Sequence, residues 1–297
     1  MLNGIRDLRS ALPAGAMLAA IFCAEHRAGA DEVALTPIKD NTLIESTAGP
    51  MSNALGDGIY SGRTFVRGEF TLRRAVLAFD VAAAIPAGST INSVTLDLFL
   101  IQALSKGDTH TLHRLMADWG VGTSSAPGGA GSPATPSDAT WEHTFFPDEF
   151  WATPGGDFVA SPSAGLFVTN LSGTFTWGST AAMVADVQGW LDNPKSNFGW
   201  VLIGNEAMFQ TARKFGSREH LFPEWWPQLH IEFTPSCSLS GDIDCDGDVD
   251  EDDRVLFVGV MLGTNTNPDH IARSDLNGDG NEDGNDVPQF VAALLGS

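Results

Sequence analysis

The sequence predicts a mostly β protein, an antiparallel β-sandwich, with a small α-helical domain at its C-terminal end. Segments such as 75–80, 93–100 and 228–233 alternate apolar and polar side chains, as half-buried strands do. Clusters of Gly, Pro, Ser and Asn separate these segments, which is typical of an antiparallel sandwich. Beyond residue 241 the pattern changes to an acidic loop followed by a helix, and this unit occurs twice.

One helix is expected inside the β region, over Ala181–Asp192. Its apolar residues recur at helical spacing, and Pro194 follows as a stop signal. The stretch 120–137 is rich in Gly, Ser and Pro, and we expect a long surface loop there. The length allows one large and one small domain, whose boundaries we place at 31–235 and 236–297.

Residues 1–30 have the pattern of a secretory signal peptide. Two arginines open the segment, residues 11–24 form a short apolar core, and Ala28-Gly29-Ala30 offers small residues for cleavage before Asp31. Cys23 leaves attachment of a lipid as an alternative. The apolar run is too short to span a bilayer, and no other segment is expected to span one. The sequence therefore predicts a secreted, extracellular or cell-surface protein.

The negative charge of the chain is concentrated near its C-terminal end. The net charge is −21, and residues 238–297 hold fourteen acidic side chains against Arg254 and Arg273. These acids occupy fixed loop positions in front of apolar helices, which a solvated acidic tail would not require. The sequence gathers no basic stripe, so we expect no nucleic-acid partner.

Two loops, 242–253 and 275–286, repeat one pattern of oxygen-bearing side chains. Each loop has such side chains at positions 1, 3, 5, 9 and 12 and a glycine, Gly247 or Gly280, at position 6. Calcium takes about six to eight oxygen ligands, so a short loop must turn sharply and direct many carboxylates at one point. The spacing therefore predicts a calcium site in each loop.

The repeat continues into the helices behind the loops. A shift of 33 residues superimposes Asp242 on Asp275, Asp253 on Asp286, Phe257 on Phe290, Val258 on Val291, Leu262 on Leu295 and Gly263 on Gly296. In the second copy one helix face carries Val287, Phe290, Val291, Leu294 and Leu295. Each copy is too small to bury such a face alone, so we expect the two helices to pack together.

Two cysteines remain after removal of the signal peptide, Cys237 and Cys245. An even pair in an exported protein indicates a disulfide, which would join the linker to the first loop. Two free thiols are the alternative. Cys245 occupies loop position 4, where the side chain points away from the ion, so we do not expect it to be a ligand.

The duplicated loop and helix resembles the type I dockerin family. Asp-x-Asn/Asp-x-Asp-Gly opens each loop and Asp closes it. The resemblance implies two Ca²⁺ ions and a cohesin-like protein as a possible partner. Val249 at loop position 8 fits the family, whereas Glu282 departs from it. Glu251-Asp252 and Gly284-Asn285 stand where cellulosomal dockerins often carry hydroxyl residues, so the resemblance favours calcium-dependent folding over cohesin binding.

The same resemblance implies the calcium ligands. They are Asp242, Asp244, Asp246, the carbonyl of Asp248, and Asp253 in the first loop, and Asp275, Asn277, Asp279, the carbonyl of Asn281, and Asp286 in the second. Asp250 and Asp283 would bind through water.

Residues 39–234 resemble the DNRLRE family of β-sandwich domains, which includes alginate-type carbohydrate-binding modules. The likeness lies in short segments in matching order, namely 40–43, 74–80, 85–88, 93–96, 117–119, 140–141, 197–200, 215–219 and 227–229. The resemblance implies a jelly-roll sandwich and a non-catalytic role in polysaccharide or cell-surface glycan binding, associated with polysaccharide breakdown. A structural or adhesive surface protein without sugar binding is the alternative.

Sugar binding on a sandwich requires flat aromatic rings beside polar groups. Trp119, Trp190 and Trp200 lie in apolar periodic segments, and we expect them in the core. Trp225 and Trp226, flanked by prolines, are the candidates for an exposed glycan-binding ring. Neighbouring residues in a strand point to opposite faces, so at most one of the two would serve.

Arg213, Lys214 and Arg218 form a local basic cluster in an acidic protein. They are candidates for contacting the carboxylate of an acidic sugar. The favoured alternative is a structural ion pair, for example with Glu219.

We do not expect catalysis. Four carboxylates lie in one aromatic-rich stretch, Glu142, Asp148, Glu149 and Asp157, but nothing in the sequence fixes the geometry that a lyase or hydrolase would need. His110 and His113 are expected to be structural. The sequence contains no nucleophile elbow, zinc signature or phosphate loop.

Overall fold

The computed structural model describes residues 31–65, 72–104, 106–237 and 239–296. The predicted signal peptide and Cys23 lie outside the described residues. In the described part, a large antiparallel β domain is followed by a small helical region.

The described residues of the β domain form fifteen strands, one α-helix and two 3-10 turns. The strands are β1 (Asp31–Leu35), β2 (Lys39–Ile44), β3 (Met51–Ser52), β4 (Gly58–Arg63), β5 (Leu72–Ala78), β6 (Thr90–Ala103), β7 (Asp108–Arg114), β8 (Ser132–Pro133), β9 (His143–Phe145), β10 (Glu149–Phe150), β11 (Ala164–Val168), β12 (Gly173–Trp177), β13 (Trp200–Ile203), β14 (Arg213–Gly216) and β15 (Gln228–Thr234). The α-helix is α1 (Ala181–Asp192), and the 3-10 turns span Pro194–Ser196 and Pro223–Trp225. The predicted helix and the three predicted strand segments are confirmed.

Most of the strands form two groups that β4 connects, while β9 and β10 form a separate two-stranded sheet. In the first group β6 pairs with β15, β14 and β12, and β15 pairs with β1. In the second group the order is β2, β5, β13, β7 and β11. Strand β4 pairs with β14 through residues 58–61 and with β5 through Gly62 and Arg63. Gly62 has a φ of 106°, a backbone conformation that residues with a Cβ disfavour. A glycine at this position therefore allows β4 to pass from the first strand group to the second.

The main hydrophobic core contains residues of both strand groups. Leu96 of β6 and Ile231 of β15 share this core with Leu77 of β5 and Trp200 of β13. Helix α1 adds Trp190, whose ring lies 4.5 Å from that of Trp200. Because full burial of one large apolar side chain contributes about 1.5–3 kcal/mol, this core is the main source of the domain's stability. The predicted burial of both tryptophans is confirmed.

Strand β5 is buried on both faces, which its alternating pattern did not predict. Leu77 lies in the main core, while Val76 and Ala78 belong to a second cluster with Trp119 and Trp151. The chain between β7 and β11 forms much of this cluster and covers the outer face of β5. Trp119 is therefore in a core, as predicted.

The stretch 120–137 is mostly loop, as predicted, but it is attached to the domain. The backbone N–H of Leu55 donates to the carbonyl of Ser124 at 2.8 Å. Strand β8 within this stretch pairs with β3.

The C-terminal region contains helices α2 (Glu251–Met261), α3 (Pro268–Ser274) and α4 (Val287–Gly296) among its described residues. Helices α2 and α4 follow the two acidic loops, as predicted. Helix α3 was not predicted, although its start signal is visible in the sequence. Asn267 caps the helix by accepting from the N–H of Asp269 at 3.0 Å, and Pro268 occupies the first helical position. No helix in the described part of the chain is long and apolar enough to cross a membrane.

Candidate metal centre

Six of the seven aspartates of the first acidic loop form two groups of three. In each group, one carboxylate oxygen from each aspartate lies within 4.8 Å of the other two. The groups are Asp242, Asp244 and Asp246, and Asp248, Asp250 and Asp253. Carboxylate oxygens without sulfur or imidazole are the donors that hard divalent cations prefer. Each group could therefore hold a metal ion.

Asp253 organises this loop from the start of α2. Its Oδ1 accepts from the N–H of Ile243 at 2.5 Å and its Oδ2 accepts from the N–H of Asp250 at 2.9 Å. Asp253 and the N-cap residue Asp250 form a capping box, so one buried carboxylate orders the loop and the helix start together.

Asp242 provides an observation that favours a bound cation. Its side chain is 2% exposed, and its Oδ2 accepts from the N–H of Gly247 at 3.2 Å. Its Oδ1 is buried and has no hydrogen-bond partner in the described part of the chain. A buried carboxylate oxygen without a partner is costly, and a cation beside it would remove that cost. The residues present therefore fit a hard divalent cation.

The aspartates of the first loop also disfavour one another's charges. Burial, followed by the negative charges of Asp246 and Asp253, raises the pKa of Asp244 to about 6. Burial likewise raises the pKa of Asp242, and the charge of Asp246 is the largest of the effects that raise the pKa of Asp248. A divalent cation would reverse this repulsion and hold all of the carboxylates ionised.

The second loop repeats the hydrogen bonds of the first. Six backbone N–H groups of the first loop donate to the same side-chain positions as their counterparts 33 residues later. Asp286 matches Asp253: it is 0% exposed and accepts from the N–H groups of Asn277 and Asp283. Burial acts to raise the pKa of Asp286, but these donors and the N–H of Leu276 outweigh it, so the pKa is lowered.

The two loops differ in their acidic side chains. Among the described residues, the second loop does not bring three acidic groups within the same distance, because Asn277 and Asn281 replace two aspartates. Asp275 also differs from Asp242, since its Oδ1 accepts from the N–H groups of Gly278 and Asp279. Both acidic triads thus lie in the first loop, and a calcium ion in the second loop stays a prediction.

The helices behind the loops meet only in part as predicted. Phe290 is buried against Phe257, in a small core that also contains Ile243 and Val249. Leu294 is half-buried against the same core, also as predicted. The prediction is corrected at the other three residues of the α4 face, because Val287, Val291 and Leu295 are 40%, 44% and 80% exposed. Val258 and Leu262, the repeat equivalents of Val291 and Leu295, are exposed as well.

Cys237 and Cys245 form a disulfide, with their Cα atoms 4.8 Å apart. It joins the end of the β domain to the first loop. Cys245 has a φ of 66°, and Gly278 at the equivalent position of the second loop has a φ of 73°. Disulfides persist in oxidising compartments, so this bond is consistent with an extracellular location.

The two candidate tryptophans lie in an aromatic cluster. Trp225 ends the 3-10 turn before β15, and Trp226 follows directly after it. Neither residue lies in a strand, so the expectation that the two side chains point to opposite faces of a sheet does not apply. The Trp225 ring stacks on Phe99, with centroids 4.5 Å apart, and lies 4.6 Å from the His220 ring. Trp226 donates from Nε1 to the carbonyl of His220 at 2.8 Å. Both side chains are half-buried, and glycan binding by them stays a prediction.

The three candidate basic residues are held by the protein itself. The guanidinium of Arg213 is buried and donates to four backbone carbonyls, those of Lys106, Val168, Thr169 and Thr211. The prediction that Arg213 contacts a glycan is therefore corrected, because a side chain that is 0% exposed does not reach a surface glycan. The other two form ion pairs, Lys214 with Asp57 at 2.7 Å and Arg218 with Glu219 at 3.2 Å. The pair with Glu219 is the alternative that the sequence favoured.

The histidines of β7 have structural partners. His110 is 0% exposed, with its Nδ1 2.8 Å from the hydroxyl of Ser61. The Nδ1 atom of His113 lies 2.9 Å from the carbonyl oxygen of Val159. His110 contacts Phe215 and His113 contacts Phe158, so the two rings lie in different clusters.

The four acidic candidates of the stretch 142–157 do not share one function. Asp157 accepts from the N–H groups of Ala152 and Thr153 and so closes a turn. The other three candidates, Glu142, Asp148 and Glu149, are exposed.

A comparison with known protein families finds no match, and no curated protein is significantly similar to the chain. Membership of the dockerin and DNRLRE families therefore stays a prediction that rests on the residues named above.

Proposed function

We propose that this chain is an exported, non-catalytic protein with two functions. Its β domain, a jelly-roll sandwich of the DNRLRE kind, binds a polysaccharide or cell-surface glycan in the setting of polysaccharide breakdown. Its C-terminal region is a dockerin-like module that folds around calcium. The observation that carries the proposal is the buried, unpartnered Oδ1 of Asp242 inside a loop of seven aspartates.

The calcium function follows from the small size of the C-terminal region. Its core has only four buried apolar side chains among the described residues, Ile243, Val249, Phe257 and Phe290. Such a core contributes little stability, and small domains of this kind depend on metals or disulfides. Binding to the folded loops would therefore supply much of the free energy of folding.

Circular dichroism of the mature chain, residues 31–297, tests the calcium function. After treatment with a chelator, addition of Ca²⁺ is expected to increase the helical signal. Asp253→Ala is expected to remove most of that increase, because Asp253 orders both the first loop and the start of α2. A helical signal that is the same with chelator and with Ca²⁺ would contradict the proposal.

Exposed aromatic rings on the β domain support glycan binding. Among the described residues of the β domain, five phenylalanines are 45% exposed or more, namely Phe65, Phe150, Phe167, Phe209 and Phe222. The apolar face of a sugar ring can stack on an exposed aromatic ring. A glycan array probed with residues 31–297 in Ca²⁺ tests this function. Binding to no glycan would favour a structural or adhesive protein, and release of products would favour an enzyme.

The exposed side chains of α2 and α4 support a protein partner for the C-terminal module. Val258 on α2 and Leu262 directly after it have their repeat equivalents, Val291 and Leu295, on α4, and all four are exposed. A cohesin-like protein is the partner that the resemblance to dockerins suggests. Pull-down with a recombinant cohesin, compared in Ca²⁺ and in chelator, tests this part of the proposal.

A further inference from the structure

Cys245 lies in the middle of the first acidic triad. Its chain neighbours Asp244 and Asp246 form that triad together with Asp242. The carboxylate of Asp244 accepts from the N–H of Asp246 at 3.2 Å, across Cys245. The backbone conformation of Cys245 therefore sets the positions of two of the three carboxylates that would hold a cation.

The conformation of Cys245 is one that glycine adopts more readily. Cys245 has a φ of 66°, and Gly278 occupies the same loop position in the second repeat with a φ of 73°. The same turn is present there, because the side chain of Asn277 accepts from the N–H of Asp279 at 2.8 Å across Gly278. Left-handed backbone is disfavoured for any residue with a Cβ, whereas glycine adopts it freely. The second loop meets this requirement with a glycine, so the first loop needs another constraint on its backbone.

The disulfide supplies this constraint. Cys237 follows the end of β15 at Thr234 by three residues, and the bond brings its Cα to 4.8 Å from that of Cys245. The bond thus ties the turn between Asp244 and Asp246 to the β domain. When it is broken, Cys245 can leave the left-handed conformation, and the two carboxylates then move away from their arrangement in the triad.

The disulfide is within reach of a reductant. Cys237 is exposed, and both cysteines line a pocket of about 230 Å³ together with Asp244. Exposed disulfides are more labile than buried ones and more often regulatory. A small dithiol can therefore attack the bond from the side of Cys237.

We propose that the disulfide is a redox switch for the cation site of the first loop, so that the oxidised loop binds Ca²⁺ tightly and the reduced loop binds it weakly. The inference rests on the calcium function proposed above, and it adds the regulation of that site. Because coupling between two equilibria is reciprocal, bound Ca²⁺ also makes the disulfide harder to reduce. An oxidising compartment therefore holds the loop in its tight-binding form.

The switch consumes one dithiol for each disulfide. A thiolate of the dithiol attacks the Sγ of Cys237, the S–S bond breaks, and Cys245 leaves as a thiolate that takes up a proton. The second thiol of the reagent then attacks the mixed disulfide, which releases Cys237 as a thiol and closes the reagent into a cyclic disulfide. Two electrons and two protons pass from the dithiol to the protein, and a disulfide reagent reverses the reaction.

Calorimetric titration of the mature chain, residues 31–297, with Ca²⁺ measures the switch. The oxidised chain is compared with the chain reduced by dithiothreitol, which is removed under anaerobic conditions before the titration. Reduction is expected to raise the Kd of the tightest site about tenfold, because the freed Cys245 no longer holds Asp244 and Asp246 together.

Two double variants separate the backbone turn from the bond itself. Cys237→Ser with Cys245→Ser removes the bond and leaves a residue with a Cβ in the turn, so its Kd should rise about tenfold, as in the reduced wild type. Cys237→Ser with Cys245→Gly removes the same bond and gives the first loop the glycine of the second loop. Its Kd should be at least about threefold lower than that of the serine variant. Dithiothreitol should change the Kd of neither variant.

Thiol titration measures the reciprocal effect without any substitution. The wild type is equilibrated at a fixed ratio of reduced to oxidised dithiothreitol, once in saturating Ca²⁺ and once in chelator. Saturating Ca²⁺ is expected to raise the ratio of oxidised to reduced protein by about the same factor by which reduction raises the Kd.

The outcomes separate this inference from the function on which it rests. The same Kd before and after reduction, or the same reduced fraction in Ca²⁺ and in chelator, would overturn the switch and leave calcium binding intact. Equal Kd values for the serine and glycine variants would overturn the role of the turn at Cys245. An oxidised wild type that gives no heat with Ca²⁺ would overturn the calcium function, and this inference with it.

Discussion

The rings of Phe257 and Phe290 stack face to face, with their centroids 4.3 Å apart and their planes 3° from parallel. These residues occupy the same position in the two copies of the repeat, one in α2 and one in α4. Each ring follows a buried aspartate, Asp253 or Asp286, by four residues, so the pair connects the ordered end of one loop to that of the other. The two loops should therefore fold together.

Phe257→Ala is expected to destabilise the C-terminal region by about 3–5 kcal/mol, because it removes a buried aromatic ring from a core of four side chains. Thermal unfolding followed by the helical signal in saturating Ca²⁺ measures the loss. Leu295→Ala is the control, since Leu295 is 80% exposed and its truncation should change stability by less than about 0.5 kcal/mol. Equal effects of the two substitutions would show that the ring pair does not join the repeats.

Asp253→Asn is expected to weaken Ca²⁺ binding more than Asp286→Asn does. Both acids are buried and accept the same pattern of backbone N–H groups, but only the loop of Asp253 gathers acidic triads. Removal of one carboxylate charge from the first loop should raise its Kd about tenfold or more. Calorimetric titration of the two variants checks the order. A larger loss in Asp286→Asn would place the stronger site in the second loop.

Asp40 makes the β domain less stable as the pH rises. Burial, the largest effect, raises the pKa of its carboxyl from 3.8 to about 7, although the N–H of Arg218 donates to it at 2.7 Å. The folded state therefore holds this proton more tightly than the unfolded state. The stabilisation is complete below about pH 4 and is lost as the pH rises through 7.

Asp40→Asn keeps a carbonyl oxygen that can accept from Arg218 and removes the titration. Between about pH 4 and pH 8 its Tm should fall less than that of the wild type. Thermal unfolding of the β domain over this range gives the comparison, and parallel pH curves would count against a raised pKa for Asp40.

The disulfide between Cys237 and Cys245 should stabilise the first loop. The residues are separated by 8 positions. Closing a loop of this size lowers the entropy of the unfolded chain, which stabilises the folded state by about 2–3 kcal/mol. Cys237→Ser is expected to destabilise the C-terminal region by that amount, as measured by unfolding in Ca²⁺. Thiol titration of the denatured mature protein should find no free thiol, and two free thiols would show that the disulfide does not form.

Local patterns allowed much of the fold to be predicted. Helix α1 was predictable because its apolar spacing and Pro194 lie within one short segment, and the acidic loops because Gly247 and Gly280 mark their turns. Helix α3 carried the local signal Asn267-Pro268 and could have been predicted.

Long-range contacts could not be predicted in the same way. The carbonyls that hold Arg213 come from residues as far as 107 positions away, so its burial was not visible in the basic cluster. Val76 is buried because a separate stretch covers the outer face of β5.

Calorimetric titration of the chelator-treated mature chain with Ca²⁺ tests the central claim, that the first acidic loop is a cation site. The wild type is expected to bind at least one ion with saturable heat, and Asp242→Asn is expected to lose most of that heat, because the substitution replaces the buried carboxylate whose Oδ1 has no partner in the described residues. The absence of heat in the wild type, or the same heat in Asp242→Asn, would contradict the account.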